Sequence, residues 1–300
     1  MKRALITGAT SFLGITLTKK LLANGVDVHV VARPSSDLSR FDNNTFLPHI
    51  HTHDGSSEAM NDIVASAKPD IVFHLASQYL REVEPHQVVP LLQSNIIFGT
   101  QLLEAMRIAE TGYLINAGTY TQYYNSDTFR PLNLYAATKQ AFDTLVSYYS
   151  DEFGLKTTTL ILFDSYGPGD WRKKIMFAIR NAILSNQPLP LPTENLTLDL
   201  LHIDDVAAAF IQAAELIQLS PERIQGGHYR VGHGDRYSLE SIITLFEEES
   251  GQSIIRNWGA YPLPERRIVT PWNGPGLPEW HPKRSLRQGI RQFLDEIENI

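Results

Sequence analysis

The first half of the chain alternates short apolar runs with longer stretches of helical period. Ala4–Thr7, Asp27–Val31, Ile71–Leu75, Tyr113–Asn116 and Thr158–Phe163 are largely apolar and short, which predicts buried strands. Between them, Gly14–Asn24, Ser57–Ser66, Leu91–Ala109 and Leu134–Phe153 repeat apolar positions at helix spacing. Such alternation predicts an α/β fold with a doubly wound parallel sheet covered on both faces. After Gly167 the texture changes. Prolines cluster at Pro188, Pro190 and Pro192 and again from Pro262 to Pro282, around a late strand at His228–Gly232. The expected division is a nucleotide-binding domain over 1–165 and a smaller lobe over 166–300, partly interleaved with the first, with the boundary inside Asp164–Gly169.

Composition narrows the function classes. With 300 residues, 43% hydrophobic and 20% charged, the chain is an ordinary globular one. Its net charge of −7 repels phosphate backbones, so no nucleic acid partner is expected. The absence of cysteine removes disulfides, zinc–thiolate sites and thiol nucleophiles, and fits a reducing cytoplasm, the expected location. The opening MKRALITGATSFLG reads as a strand entering a glycine turn, not as a signal peptide. The longest uncharged run, Pro85 to Leu103, contains Gln87, Pro90, Gln93, Ser94 and Asn95. It is too polar for a membrane span.

The chemistry starts at Thr7-Gly8-Ala9-Thr10-Ser11-Phe12-Leu13-Gly14. A glycine turn between a strand and a helix lets backbone approach a pyrophosphate, which the helix N-terminus then attracts. Gly8, Thr10, Ser11, Phe12 and Leu13 are the expected cofactor contacts of a Rossmann-type sheet, with Ser11 where a middle glycine is usual. No carboxylate ends the second strand. Arg33 follows it, then Ser35 and Ser36, with Asp37 further into the loop. A guanidinium pairs with a 2′-phosphate, so NADP(H) is favoured while NAD(H) stays open. Tyr135 and Lys139 are four apart in a helical stretch and share a face. An ammonium beside a phenol lowers the phenol's pKa and makes it a usable acid or base. Upstream, Thr119 ends a strand, where a hydroxyl can bond a substrate oxygen.

Glycine turn, strand-end threonine and Y-x-x-x-K in this order resemble the extended short-chain dehydrogenase/reductase family, the group of nucleotide-sugar epimerases, dehydratases and ketoreductases. The resemblance covers nearly the whole chain. Pro69 to Ala76 resembles the family's fourth strand, Asn95 its helix asparagine, and Asp54 the acid that meets adenine. Phe163-Asp164-Ser165-Tyr166-Gly167-Pro168-Gly169-Asp170, Leu198 to Val206 and Trp280 to Gly289 resemble its later motifs. The resemblance implies that Tyr135 is the acid/base, that Lys139 tunes it and holds the nicotinamide ribose, and that Thr119, or Thr121, polarises the sugar oxygen. Leu75 and Ala76 would touch the cofactor. Tyr79, Asp164, Arg266 and Arg267 would face the substrate, the arginines at its diphosphate. Departures are visible. Tyr120-Thr121 stands where 4,6-dehydratases place Asp-Glu, which removes dehydratase chemistry. Asp164 replaces an asparagine, and Leu198 an arginine.

Other clusters read more plainly. His49, His51 and His53 alternate along a strand, but no acidic or thiol partner lies at ligand spacing. They read as a solvated strand leading to Asp54, and no metal is expected. His202, Asp204 and Asp205 read as a cap for a helix starting at Val206, and Glu247–Glu249 as a solvated helix face. Tyr79, Tyr123 and Tyr124 fit the sugar pocket or packing equally.

Together these readings give an NADPH-dependent reductase of a nucleotide-linked 4-keto-6-deoxy or dideoxy hexose for surface polysaccharide. The resemblance is strongest to enzymes of the CDP-abequose/CDP-paratose synthase type. An NDP-sugar 4-epimerase with tightly bound NAD is the alternative, and an NADP(H)-sensing regulator the alternative of another class. The intact Tyr135/Lys139 pair argues against the regulator. Leu91–Ala109 and Leu134–Phe153 carry apolar stripes, and the resemblance implies that such helices pair across a two-fold axis, so a homodimer with a four-helix interface is expected.

Overall fold

The computed structural model describes residues 1–41 and 47–295; residues 296–300 of the expected second lobe lie outside them. Along the chain the helices are α1 (Phe12–Ala23), α2 (Ser57–Ala67), α3 (Val88–Leu92), α4 (Phe98–Ile108), α5 (Leu134–Phe153), α6 (Ile175–Ser185), α7 (Ile203–Leu219), α8 (Leu239–Ser250) and α9 (Leu286–Asp295). The strands are β1 (Arg3–Thr7), β2 (Asp27–Ala32), β3 (His49–Thr52), β4 (Ile71–His74), β5 (Tyr113–Thr119), β6 (Lys156–Leu162), β7 (Asp164–Tyr166), β8 (Leu189–Pro192), β9 (Thr197–Leu198), β10 (Leu200–His202), β11 (His228–Val231), β12 (Tyr237–Ser238) and β13 (Arg256–Tyr261). Two compact units result. The first takes Met1–Leu162, Ala207–Val231 and Ile268–Trp280; the second takes Phe163–Val206, Gly232–Arg267 and His281–Ile300.

The first unit is a Rossmann-type α/β layer structure around a seven-stranded parallel sheet of order β11-β6-β5-β4-β1-β2-β3. Strand order reverses between β1 and β4, the switch point where such sheets take ligands at their carboxyl ends. On one face Leu5, Val31, Val72 and Leu114 pack against Ile63, Leu103, Phe142 and Val146 from α2, α4 and α5. Phe210 of α7 meets Phe73 of β4 with ring centroids 6.4 Å apart. α5 spans the predicted residues because both its ends are chemically marked. Asn133 Oδ1 accepts from Ala136 N at 2.9 Å, and Gly154 takes the left-handed C-terminal conformation at φ 72°.

The stretch expected as one helix over Leu91–Ala109 begins earlier, at Val88, and contains a π turn at Gln93–Ile97. That turn carries the buried Asn95, whose hydrogen bonds explain it below. Helix α7 also starts earlier than expected, at Ile203, so Asp204 and Asp205 sit in its first turn. They hold Arg284: Nη2 lies 2.9 Å from Asp204 Oδ2, and its backbone N donates to Asp205 Oδ2 at 3.0 Å.

The second unit is built from short pieces. β7 pairs with β10, β9 with β12 and β8 with β13. Tyr166, Ile179, Leu191, Ile243, Phe246 and Phe293 form its core. Glu247–Glu249 is not simply a solvated face. Glu247 Oε2 lies 2.7 Å from Arg256 Nη2, while Glu248 and Glu249 bind Arg287, and Glu249 also Arg291, joining α8 to α9.

Candidate active site

Thr7 closes β1 and ties the glycine turn to the segment after β4. Its Oγ1 lies 2.8 Å from His74 Nδ1 and accepts from Ala76 N at 3.3 Å. Its carbonyl accepts from Leu75 N at 3.2 Å. Gly8 adopts φ +70°, and a Cβ there would come 2.7 Å from Ala76 N, so the turn needs glycine on both counts. Ser11 sits at φ −73° and caps α1, its Oγ accepting from Gly14 N at 3.0 Å. The helix starts at Phe12 and Leu13 directly after it, which leaves the positive dipole end at the turn beside Thr10. These residues fit a dinucleotide's pyrophosphate.

The end of β2 sets the other half of the nucleotide question. Arg33 is exposed, its backbone N donating to Ser36 Oγ at 2.9 Å, and Ser35 is exposed beside it. Asp37 turns onto its own loop, accepting from Ser39 Oγ at 2.6 Å. Asp54 is exposed after β3; Ser56 donates to its Oδ1 from Oγ at 2.7 Å and from N at 2.9 Å. Those bonds hold the Asp54 carboxyl below its ordinary range.

Tyr135 stands in the first turn of α5. Its ring meets Tyr79 edge-on at 5.0 Å, and Tyr79 is largely exposed. Burial pushes the Tyr135 phenol up to about 12, against the pull of a hydrogen bond with Ser77. The expected lowering by Lys139 is therefore absent. Lys139 is buried one turn further along, 5.9 Å from the Phe142 ring centre. Burial brings its ammonium down to about 8, with the Asp143 charge acting the other way. Burial, then Lys139, hold the His74 imidazole down at about 3.

Thr119 and Thr121, alternatives in the sequence, form one hydroxyl pair 3.0 Å apart. Gln122 fixes that turn: its Oε1 accepts from Thr119 N at 2.9 Å, and its Nε2 donates to Asp143 Oδ2 at 2.6 Å. Asp143 is the residue the sequence reading missed. Its Oδ1 also accepts from Asn116 Nδ2 at 3.0 Å and Thr159 Oγ1 at 3.1 Å. The signal was present, since Asp143 repeats the four-residue step from Tyr135 to Lys139. Asn95 does similar work opposite. Its Oδ1 accepts from Gln78 N at 2.6 Å and its Nδ2 donates to Thr138 Oγ1 at 2.9 Å, strapping the segment after β4 to α5. Tyr123 is buried and stacked on Trp272 at 4.3 Å, a packing role, and Tyr124 meets Arg130.

The other substrate candidates belong to the second unit. Asp164 pairs with Lys174 Nζ at 2.9 Å. Both line a cavity of about 240 Å³ with Ser165, Leu198, Leu200 and Tyr261. Arg266 is exposed. Arg267 Nη2 meets both oxygens of Glu194, at 2.9 and 3.0 Å. No helix among the described residues is long and apolar enough to cross a membrane.

Known proteins are similar to this chain in sequence and in fold. The CDP-abequose synthase of Salmonella muenchen is 24% identical over 303 residues, covering 99% of this chain and 98% of that one. The CDP-abequose synthase of Yersinia pseudotuberculosis is 28% identical over 211 residues, 70% of this chain and 72% of its own. The crystal structure of the Thermus thermophilus UDP-glucose 4-epimerase in complex with NAD superposes with a TM-score of 0.81 at 24% identity, covering 99% of each chain. The model of the NAD dependent epimerase/dehydratase family matches residues 4–232. Since that match runs from β1 and its glycine turn through the Tyr135–Lys139 helix to β11, the chain belongs to the NAD dependent epimerase/dehydratase family, enzymes that act on nucleotide sugars.

Proposed function

We propose that the protein is an NADPH-dependent reductase of a nucleotide-linked 4-keto-6-deoxy or dideoxy hexose destined for surface polysaccharide. The observation that carries this reading is the end of β2, where an exposed Arg33 follows Ala32 and Asp37 is turned onto Ser39. A guanidinium there suits a 2′-phosphate, and a site on the surface suits a nucleotide exchanged at every turnover. Two relatives named CDP-abequose synthase support the substrate class.

When bound, NADPH supplies the hydride. Tyr135, protonated near neutrality because burial raises its phenol to about 12, gives its proton to the sugar's C4 oxygen. The Thr119–Thr121 pair donates a hydrogen bond to that oxygen. Lys139 holds the nicotinamide ribose, and Asp143 keeps its ammonium charged. In the second unit, Asp164 lines a cavity, and Arg266 and Arg267 are the cations proposed for a diphosphate.

An NDP-sugar 4-epimerase with resident NAD is the second reading, supported by the fold it shares with the Thermus thermophilus enzyme. The deciding experiment denatures the purified protein, identifies released nucleotide, and follows NADPH absorbance with CDP-, dTDP- and UDP-linked 4-keto-6-deoxy sugars. NADPH consumption by protein that purifies empty is the expected result. Stoichiometric NAD, with interconversion of UDP-glucose and UDP-galactose, replaces the reductase with the epimerase.

The proposal includes a homodimer. Ile97, Ile108, Tyr148 and Phe153 on and beside α4 and α5 are exposed, and large apolar groups gathered on one helix pair are suited to a second copy. Light scattering at micromolar concentration should give twice the chain mass; a monomer mass removes the dimer.

A further inference from the structure

β2 and β3 carry a cluster that the proposed reaction does not use. Their register sets His29 opposite His49 and Val31 opposite His51. Asp27 lies two residues before His29, so Asp27, His29, His49 and His51 share one face of the sheet. Asp27, His29 and His49 present ligand atoms that all lie within 4.8 Å of one another. His49 Nε2 is 3.3 Å from Asp27 Oδ1, and His29 Nε2 is 3.6 Å from Asp27 Oδ2. A tetrahedral zinc with bonds of about 2.0–2.2 Å has ligand–ligand edges of about 3.3–3.6 Å. The edge from Asp27 Oδ1 to His49 Nε2 is already at that length, and His29 Nε2 reaches the same carboxylate through Oδ2.

The surroundings supply what metal ligands need. His29 Nδ1 lies 2.8 Å from His51 Nε2. A histidine that binds metal through Nε2 carries its proton on Nδ1 and must place it on an acceptor, which His51 provides. Arg3 Nε donates to Asp27 Oδ2 at 2.7 Å, which orients the carboxylate and leaves Oδ1 facing His49. The His49 and His51 rings stack on His29 with centroids 4.7 and 5.1 Å away.

We propose that Asp27, His29 and His49 form a binding site for a divalent transition metal, Zn²⁺ by its geometry and donor set, with His51 orienting His29 and water completing the coordination. The ion is structural. Register pairs Arg3 with Asp27 and Thr7 with Val31, so the site sits about 13 Å along the strands from the glycine turn, at about 3.3 Å per residue. It pins the edge strand β3 to β2. Local spacing hides the site, because its carboxylate and one of its imidazoles come from the neighbouring strand.

The test titrates Zn²⁺ into chelator-treated full-length protein by calorimetry and Co²⁺ by visible absorption. One Zn²⁺ per chain and intense tetrahedral Co²⁺ bands are expected. His49 is exposed, so His49→Ala keeps the fold and should abolish both signals. His51→Ala should weaken Zn²⁺ by about 10–100-fold, as loss of an orienting partner does. His86→Ala, at an exposed histidine outside the cluster, should change nothing. Absence of saturable one-to-one binding overturns the site, and so does binding that survives both His49→Ala and Asp27→Asn.

Discussion

In the unit that carries the parallel sheet, the polar groups around Tyr135 are buried and shared. Asn95, Asn116 and Asp143 are almost fully enclosed, and each serves two or more partners. In the other unit two of the candidates meet cations nearer the surface: Asp164 with Lys174 and Glu194 with Arg267. The energetic consequence is unequal. A buried polar group left without its partner costs about 1–3 kcal/mol, whereas an exposed ion pair contributes about 0–1 kcal/mol. The first unit therefore cannot change a residue without disturbing several others. The second can exchange an exposed pair at little cost; Asp164 and Leu198 depart from the family pattern there, while Ser11 and Tyr120-Thr121 depart from it in the first unit.

The largest effect should come from the buried side of that contrast. Tyr135→Phe keeps the ring and removes the proton. Turnover should fall by about 10²–10⁴-fold, the usual share of a general acid, with NADPH affinity near wild type in a fluorescence titration. Lys139→Ala should damage turnover and binding together. Unchanged turnover in Tyr135→Phe would pass the acid role to Thr121 or Tyr124 and dissolve the contrast.

Acid should expose the same network. Folded His74 titrates at about 3 instead of 6.5. Below pH 6.5 the unfolded chain binds a proton that the folded one refuses, so stability present above 6.5 is lost as pH falls toward 3. One such group removes roughly 2 kcal/mol between pH 6.5 and 5. His29 and His51 are shifted the same way and add to the slope. Urea unfolding of His74→Gln should show a shallower loss than wild type by about that amount; equal slopes would mean His74 is not held neutral.

The sheet and the site were unequally legible in the sequence, for the same physical reason. β1, β2 and α5 are written locally, in apolar runs, a capping Asn133 and a terminal Gly154. The glycine turn is local too, because Gly8 answers to a backbone conformation. The π turn around Asn95 is not, since the bonds that favour it reach Gln78 and Thr138 from elsewhere in the chain. Nor is the partnership of Asp27 and His29 with His49, which register alone creates. In the second unit, β9 and β12 are two residues each, too short for any periodicity. Their pairing is tertiary throughout.

Arg33→Ala comes next in size. Losing a charge-assisted hydrogen bond costs about 1.5–3 kcal/mol, so NADPH should weaken by about one to two powers of ten while NADH stays put. Calorimetric titration of both nucleotides decides it. Equal losses would remove the 2′-phosphate from Arg33 and return NAD to the site.

The smallest effect tests the exposed side directly. Glu194 holds the Arg267 guanidinium with both oxygens, so a substrate diphosphate must compete with it for that fork. If Arg267 binds the diphosphate, Glu194→Gln removes the competing charge and KM should drop, by about the fivefold that 1 kcal/mol makes. Arg267→Ala should raise KM by a similar factor, with kcat little changed in either variant. Stability should move by less than about 1 kcal/mol in both, because an exposed pair contributes no more. A KM indifferent to both substitutions would leave the diphosphate to Arg266 and make the Glu194–Arg267 pair a surface tie alone. A large stability loss would break the contrast from the other direction, by showing that this pair is held as tightly as the network around Asp143.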